Sequence, residues 1–349
     1  MSLAGPAEHA NPAIPAGPPP LGATLEIVPG LHWARMPLPF PPWHVNLWLI
    51  EDGQGWLAVD AGVNSATTLA AWEDIFERVL GGRPITRVLL THFHPDHAGL
   101  GGWLCERWDA PLLMARAEFL QARVLLLDGD ERLREQHLNT ARNAGAPAEF
   151  LQYLSARGGF YQADVVPLPR AYRPIHAGQI IQAGSRNWQV RVGEGHAPAM
   201  TLLHCPALGI LIAADQVLPR ISPFIGVQGS EPEEDPLRNF LASLEDLKEI
   251  KEGTLCLPSH GEPFGGLHAR IAALTAHHAE RLSSLLQACA KPITAFDAAR
   301  LMFPHVTAVS QMGFMIGEAL AHLHYLRSDG LVMRDRRSDG AFLYRQTSG

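Results

Sequence analysis

Three imidazoles and one carboxylate fall within six consecutive residues, His92-Phe93-His94-Pro95-Asp96-His97, directly after the apolar run Val88-Leu89-Leu90. Imidazole nitrogen and carboxylate oxygen suit zinc and other borderline divalent ions. In an extended segment the i, i+2 spacing turns His92 and His94 to one side while Phe93 faces the core. Pro95 stops the strand, so Asp96 and His97 fold back toward a second position. The two halves of the motif can therefore address two metals. No GxSxG sequence accompanies it, and the chemistry needs no serine or cysteine nucleophile.

The elements that must hold this motif are strands. Strand-like runs cover residues 24–36, 45–51 and 56–60, separated by turn residues such as Asp52-Gly53. A helical pattern follows over 65–80, with Ser65 as its N-cap and Gly81-Gly82 as its stop. A strand over 85–91 then leads into the histidine cluster, and this alternation predicts an α/β layered domain. Residues 115–165 have helical periodicity with few strand signals, which makes them an insertion between two sheet-forming halves. Strand patterns resume at 179–183, 188–192, 201–204 and 210–214. A Pro- and acid-rich loop then leads to a helix over 237–251 and a strand ending at Leu257. Beyond it lie a long helix over 267–290, broken before Pro292, two helical stretches near 294–303 and 317–328, and two short strand runs joined by residues 336–340. Helix, helix, helix, hairpin is the order of a winged helix.

With these elements placed, the chain resembles the metallo-β-lactamase-fold hydrolases, whose HxHxDH motif is followed on later loops by a His, an Asp and a His. The matching positions are His196 after a strand, Asp215 at the end of Ile210–Ala214, and His260 after a strand; Asp60 matches the Asp of the family's first motif. The resemblance runs from about Thr24 to Phe264, and the 99 residues from His97 to His196, long for compact members, reflect the insertion. It implies a four-layered αββα fold with a helical insertion and a small C-terminal winged-helix domain. The expected boundaries are a disordered leader over 1–22, a catalytic domain over 23–264, and a linker helix with winged helix over 265–349. The resemblance assigns His92, His94 and His196 to one metal, Asp96, His97 and His260 to the other, and makes Asp215 the bridge. Two divalent ions, zinc foremost and iron or manganese as substitutes, would share a hydroxide that attacks a small carbonyl substrate such as a thioester, lactone or ester. Asp96 would act catalytically by orienting the nucleophile and taking a proton, and Asp60 would support the motif loops.

Three residues are further candidates for contact with substrate. Tyr161 and Tyr172 would donate to a substrate oxyanion as tyrosines do in related lactonases, against the plainer reading of packed rings, and His268 lies near the expected pocket rim. His176, His204, His277 and His278 are read as surface or core histidines, and Met302, Met312 and Met315 as core of the small domain.

Bulk properties narrow the functional classes. The 349 residues are 47% hydrophobic and 18% charged, an ordinary globular balance. The net charge is −7; nine Lys/Arg against six Asp/Glu from Gly265 onward leave −10 on residues 1–264. An acidic body disfavours general RNA cleavage, the second functional reading, which some winged-helix members of the fold perform. Iron-dependent persulfide oxidation is a third. A regulator that reads DNA through the winged helix is a fourth, disfavoured because residues 317–328 offer a single Arg. Arg334, Arg336 and Arg337 read as a solvated hairpin tip. Four scattered cysteines, no signal peptide and no apolar span of membrane length predict a cytoplasmic protein with reduced thiols, acting on a small molecule without a membrane. A homodimer is compatible with this composition.

Overall fold

Strands whose every residue is apolar can only belong to sheets covered on both faces, and that is where the chain puts them. The computed structural model describes residues 17–158 and 161–347. Four strands open the chain: β1 (Thr24–Val28), β2 (Leu31–Pro37), β3 (His44–Asp52) and β4 (Gly55–Val59). Then come α1 (Ala66–Arg78), β5 (Ile85–Leu89), the single turn α2 (Pro95–Ala98), α3 (Gly101–Trp108) and β6 (Leu112–Ala115). The insertion forms α4 (Arg116–Leu127), α5 (Asp130–Asn143) and α6 (Ala148–Ala156), after which β7 (Arg173–Ile175) completes a seven-stranded sheet in the order β1 to β7. Its first four strands are antiparallel and β4 to β7 run parallel.

The second sheet has five strands, in the order β12-β11-β10-β9-β8. They are β8 (Ile180–Ala183), β9 (Arg186–Gly193), β10 (Met200–Cys205), β11 (Ile210–Ala214) and β12 (Leu255–Pro258), with α7 (Pro236–Leu247) between the last two. Period-two alternation sorts the apolar residues into two layers. Trp48 and Ile50 of β3 meet Leu203 of β10 and Ile210 and Ile212 of β11 between the sheets. Leu47 and Leu49, one residue out of phase, face outward with Trp72 of α1, while Leu211 and Ala213 of β11 face Phe240 of α7. The result is helix, sheet, sheet, helix, the metallo-β-lactamase fold.

The expected elements are present with shifted ends. The run over 24–36 is two strands, because Gly30 turns the chain at φ +79. Ser65 caps α1 by accepting from the Thr68 amide. The short β6 and β7 lacked a strand signal of their own and form as additions to the edge of β5. The expected leader falls largely on residues 1–16, outside the described residues.

A third core lies apart from the sheets. The C-terminal elements are α8 (Leu267–Ala288), α9 (Ala295–Met302), a single 3-10 turn, α10 (Met312–Ser328) and the hairpin β13 (Val332–Arg336) with β14 (Phe342–Gln346). Leu285, Ala298, Met315, Leu323 and Tyr344 from this region pack together with Ala141, Phe150 and Leu154 of the insertion. The two helical regions, distant in sequence, thus share one core. Helix α10 starts at Met312, earlier than its pattern suggests, and is buried on most of its surface.

Candidate metal centre

The site sits where strands of both sheets end. His92, His94, Asp96 and His97 lie on the loop and single turn after β5, His196 on the loop between β9 and β10, Asp215 directly after β11, and His260 on the loop after β12, next to Ser259. All seven side chains meet there. Donor atoms of His92, His94 and His196 lie within 4.8 Å of one another, as do those of Asp96, His97 and His260. Asp215 lies between them, 3.4 Å from His196 Nε2 and 3.4 Å from His260 Nε2. Its other oxygen is 3.6 Å from His97 Nε2, and these two atoms group with His92 as well.

Hydrogen bonds on the far side of three of the rings decide which nitrogen faces the centre. His196 Nδ1 donates to Phe224 O at 2.7 Å and His260 Nδ1 to His44 O at 2.8 Å. A carbonyl can only accept, so Nδ1 carries the proton in both rings and Nε2 is left to bind. His97 Nδ1 donates to Asp60 at 2.8 Å, while Asp60 also accepts from the Thr91 amide and hydroxyl. Asp60 is itself held at a left-handed φ of +66. Buried, it braces the loop from behind.

The donor set fits divalent cations. His97 Nε2, His196 Nε2 and Asp215 Oδ1 are buried and make no hydrogen bond, an arrangement that costs free energy unless another ligand meets them. Burial and the surrounding imidazoles hold His92 well below its usual pKa and His94 at about 3, so both rings are neutral donors. Burial would raise the Asp96 and Asp215 carboxyls, yet the imidazoles of His97 and His260 hold both well below the usual range. Both are ionised at neutral pH. Conversely, burial disfavours a charged His260, and Asp215 and Asp96 outweigh it, raising the ring to about 10. The two carboxylates thus favour positive charge among these rings, which a proton or a divalent cation at His260 Nε2 can equally supply.

Two supporting residues had no signal in the sequence. Glu118 in the first turn of α4 is fully buried, and its carboxylate accepts from Phe93 N at 3.0 Å and Ala199 N at 2.6 Å. It ties the His92–His94 loop to the His196 loop. Burial pushes it up to about 7 despite those two amides. His44 Nε2 accepts from Gly261 N at 3.0 Å, and burial with nearby Arg35 lowers this ring to about 4. In sequence, Glu118 reads as an acidic residue favouring a helix start, and His44 falls just before the strand expected over 45–51.

The three candidates for substrate contact lie elsewhere or are already engaged. Tyr161 reaches the pocket wall, but its hydroxyl donates to Phe93 O at 2.5 Å, so it fixes the ligand loop. Tyr172 stacks on Phe119 with ring centroids 3.8 Å apart. His268 bonds Ile250 O at 2.7 Å and lies 3.1 Å from Glu252, away from the ligands. A cavity of about 430 Å³ opens beside the metal centre, bordered by Phe93 and His94. Of the insertion's apolar residues, Leu125, Phe150 and Leu154 line it, Leu127 is exposed, and Phe160 lies outside the described residues.

Fold and ligand cluster together define a class. The chain belongs to the metallo-beta-lactamase superfamily, whose family model matches residues 40–260. A second model, described as a metallo-beta-lactamase-like C-terminal domain, matches residues 282–347. The chain is similar to a beta-lactamase domain protein from Burkholderia ambifaria of known crystal structure, at 40% identity and a TM-score of 0.88, covering 95% of this chain and 96% of that one. A metallo-beta-lactamase family protein from Thermus thermophilus, TTHA1429, aligns at 27% identity and a TM-score of 0.78, over 92% of this chain and all of that one. The probable metallo-hydrolase YqjP of Bacillus subtilis (strain 168) is 23% identical over 306 residues, 85% of this chain and 92% of its own length. No helix among the described residues is long and apolar enough to cross a membrane.

Proposed function

We propose that this chain is a dinuclear metallo-hydrolase that cleaves a small carbonyl substrate, a thioester, lactone or ester. The observation that carries this reading is the convergence of seven His and Asp side chains with three buried donor atoms left without hydrogen bonds. His92, His94 and His196 hold one divalent cation, Asp96, His97 and His260 the other, and Asp215 serves both. Zinc suits this nitrogen- and oxygen-rich set best, with iron or manganese as substitutes. When bound, such cations supply Lewis acidity and make water a competent nucleophile near neutral pH.

The remaining work falls to the chain. Asp96, ionised and partly exposed, is the group placed to take the proton of the attacking water and return it to the leaving group. Asp60, Phe224 O and His44 O keep three imidazoles in their binding tautomer. The four cysteines are free and buried, which suits the reducing cytoplasm.

Within this reading, residues 23–264 carry the chemistry and residues 265–349 form a winged helix that supports the site and does not read DNA. Arg334 pairs with Glu233 at 2.9 Å and Arg337 with Asp339 at 2.7 Å, while Arg336 lies 4.8 Å over the Phe342 ring. These arginines are already engaged within the chain. Metal analysis of loaded protein should approach two equivalents, and Asp215→Ala should lose both along with at least a thousandfold of ester or thioester hydrolysis, roughly the weight of a catalytic metal site. A single equivalent retained by Asp215→Ala would refute the shared carboxylate.

A further inference from the structure

The cavity beside His94 has two walls from distant parts of the chain. One is the insertion, through Val124, Leu125, Phe150 and Leu154; the other is the C-terminal helix α10, through Phe314 and Ile316. At about 430 Å³ it has the size of a small-ligand pocket. Charge does not dominate it, because Asp128 and Arg157 border it with opposite signs. Its apolar lining continues to the outside: Val124 is 48% exposed and Phe314 62% exposed, although both border the cavity. Large apolar groups left in water at a pocket mouth are costly unless an apolar ligand covers them.

Two glycines keep the α10 wall open. A methyl group at Gly313 would stand 3.6 Å from the Phe150 ring, an ordinary contact, so a longer side chain there would project into the cavity. At Gly317 it would meet the Phe224 ring at 3.1 Å, and Gly317 O accepts from Val227 N at 3.1 Å. Phe224 in turn offers its carbonyl to His196. One loop therefore touches the metal ligand, the cavity and α10 together.

We infer that the substrate carries an uncharged, medium-length acyl or alkyl chain seated in this cavity between the insertion and α10. This rests on the hydrolase reading for the identity of the reacting group, and not for the chain. The C-terminal region then selects substrate. Its glycine face sets how long a chain can enter, and its Phe314 guards the mouth.

The test separates binding from turnover. Calorimetric titration of the metal-loaded protein with octanol, against ethanol, reads the cavity without any reaction. Octanol should bind at least roughly tenfold more tightly, since even one methylene in a fitted pocket can be worth about tenfold. Gly313→Leu should remove that preference and lower the ratio of kcat/KM for octanoyl over acetyl esters by a similar factor. Val124→Asp, at an exposed position that folding tolerates, should weaken octanol in the same direction if Gly313→Leu does not fold. Octanol binding with no ester or thioester turnover would sustain the cavity assignment and sink the hydrolase reading. Turnover of acetyl esters with no preference for octanol or octanoyl groups would overturn the cavity assignment alone.

Discussion

The sandwich and the helical cap of this protein achieve specificity by different means. In the sandwich, the His and Asp cluster gathers on the loops that follow β5, β9, β11 and β12, so local backbone geometry sets where each of these side chains lies. Among the described residues of the cap, none belongs to the His and Asp cluster. Helices α5 and α6 share a core with α8, α9 and α10, and what the cap contributes is the shape of a space. The cluster's residue types stand at strand ends, whereas the shape of the cavity depends on packing between segments far apart in sequence.

Removing half of the cap is the strongest way to break that contrast. Truncation after Phe264 should expose Phe150 and Leu154, abolish the acceptor for Val227 N, and loosen the Phe224 loop that orients His196. Each buried large side chain lost is worth about 1.5–3 kcal/mol, so thermal unfolding should move down sharply and metal occupancy should fall with it. A truncated protein with unchanged melting temperature and full metal content would show that sandwich and cap are independent.

Glu118 tests the seam itself, because it lies in the first turn of the insertion helix α4 and binds two sandwich loops. Glu118→Ala leaves two amides without an acceptor, at roughly 1–3 kcal/mol each. Denaturant unfolding should record that loss, and weaker metal binding should accompany it. Glu118→Gln keeps an acceptor oxygen and should recover part of both. Equal behaviour of the two variants would deny the carboxylate this positioning role.

A smaller effect sharpens the comparison by pH. In the cap core, His278 Nδ1 and His322 Nε2 lie 3.1 Å apart, and burial lowers the two rings to about 3 and about 4. His277, Arg281 and Glu318 face them, as does the Ser222 hydroxyl. Both rings fold neutral and must be protonated when unfolded below pH 6.5, so the unfolded state binds more protons and stability falls as pH drops from about 6.5 toward 4. For His322 alone this reaches roughly 3 kcal/mol by about pH 4. Glu318, raised by burial despite Arg281, contributes with the opposite sign. Comparing His322→Gln with the parent cancels that term, and the variant should show a shallower loss on acidification. Parallel stability curves from about pH 7 to 4 would exclude the pair as a source of acid sensitivity.

What could be read without coordinates follows from locality. The spacing of His92, His94, Asp96 and His97, the apolar strand before them and the N-cap at Ser65 each depend on a few neighbouring residues, and backbone sterics act over that range. The layered fold followed from the same alternation. The resemblance to the superfamily extended that local motif to His196, Asp215 and His260, which no spacing rule could have joined. Only the tertiary structure decided the rest. It buried Glu118 against two loops, used the Tyr161 hydroxyl on Phe93 O, turned His268 to Ile250 O, and set Gly313 opposite Phe150. A hydrogen bond between residues 68 apart in sequence, or a cavity between helices more than a hundred residues apart, leaves no periodicity behind. Such features arise when separate surfaces are packed together, and a linear sequence records the surfaces but not their contact.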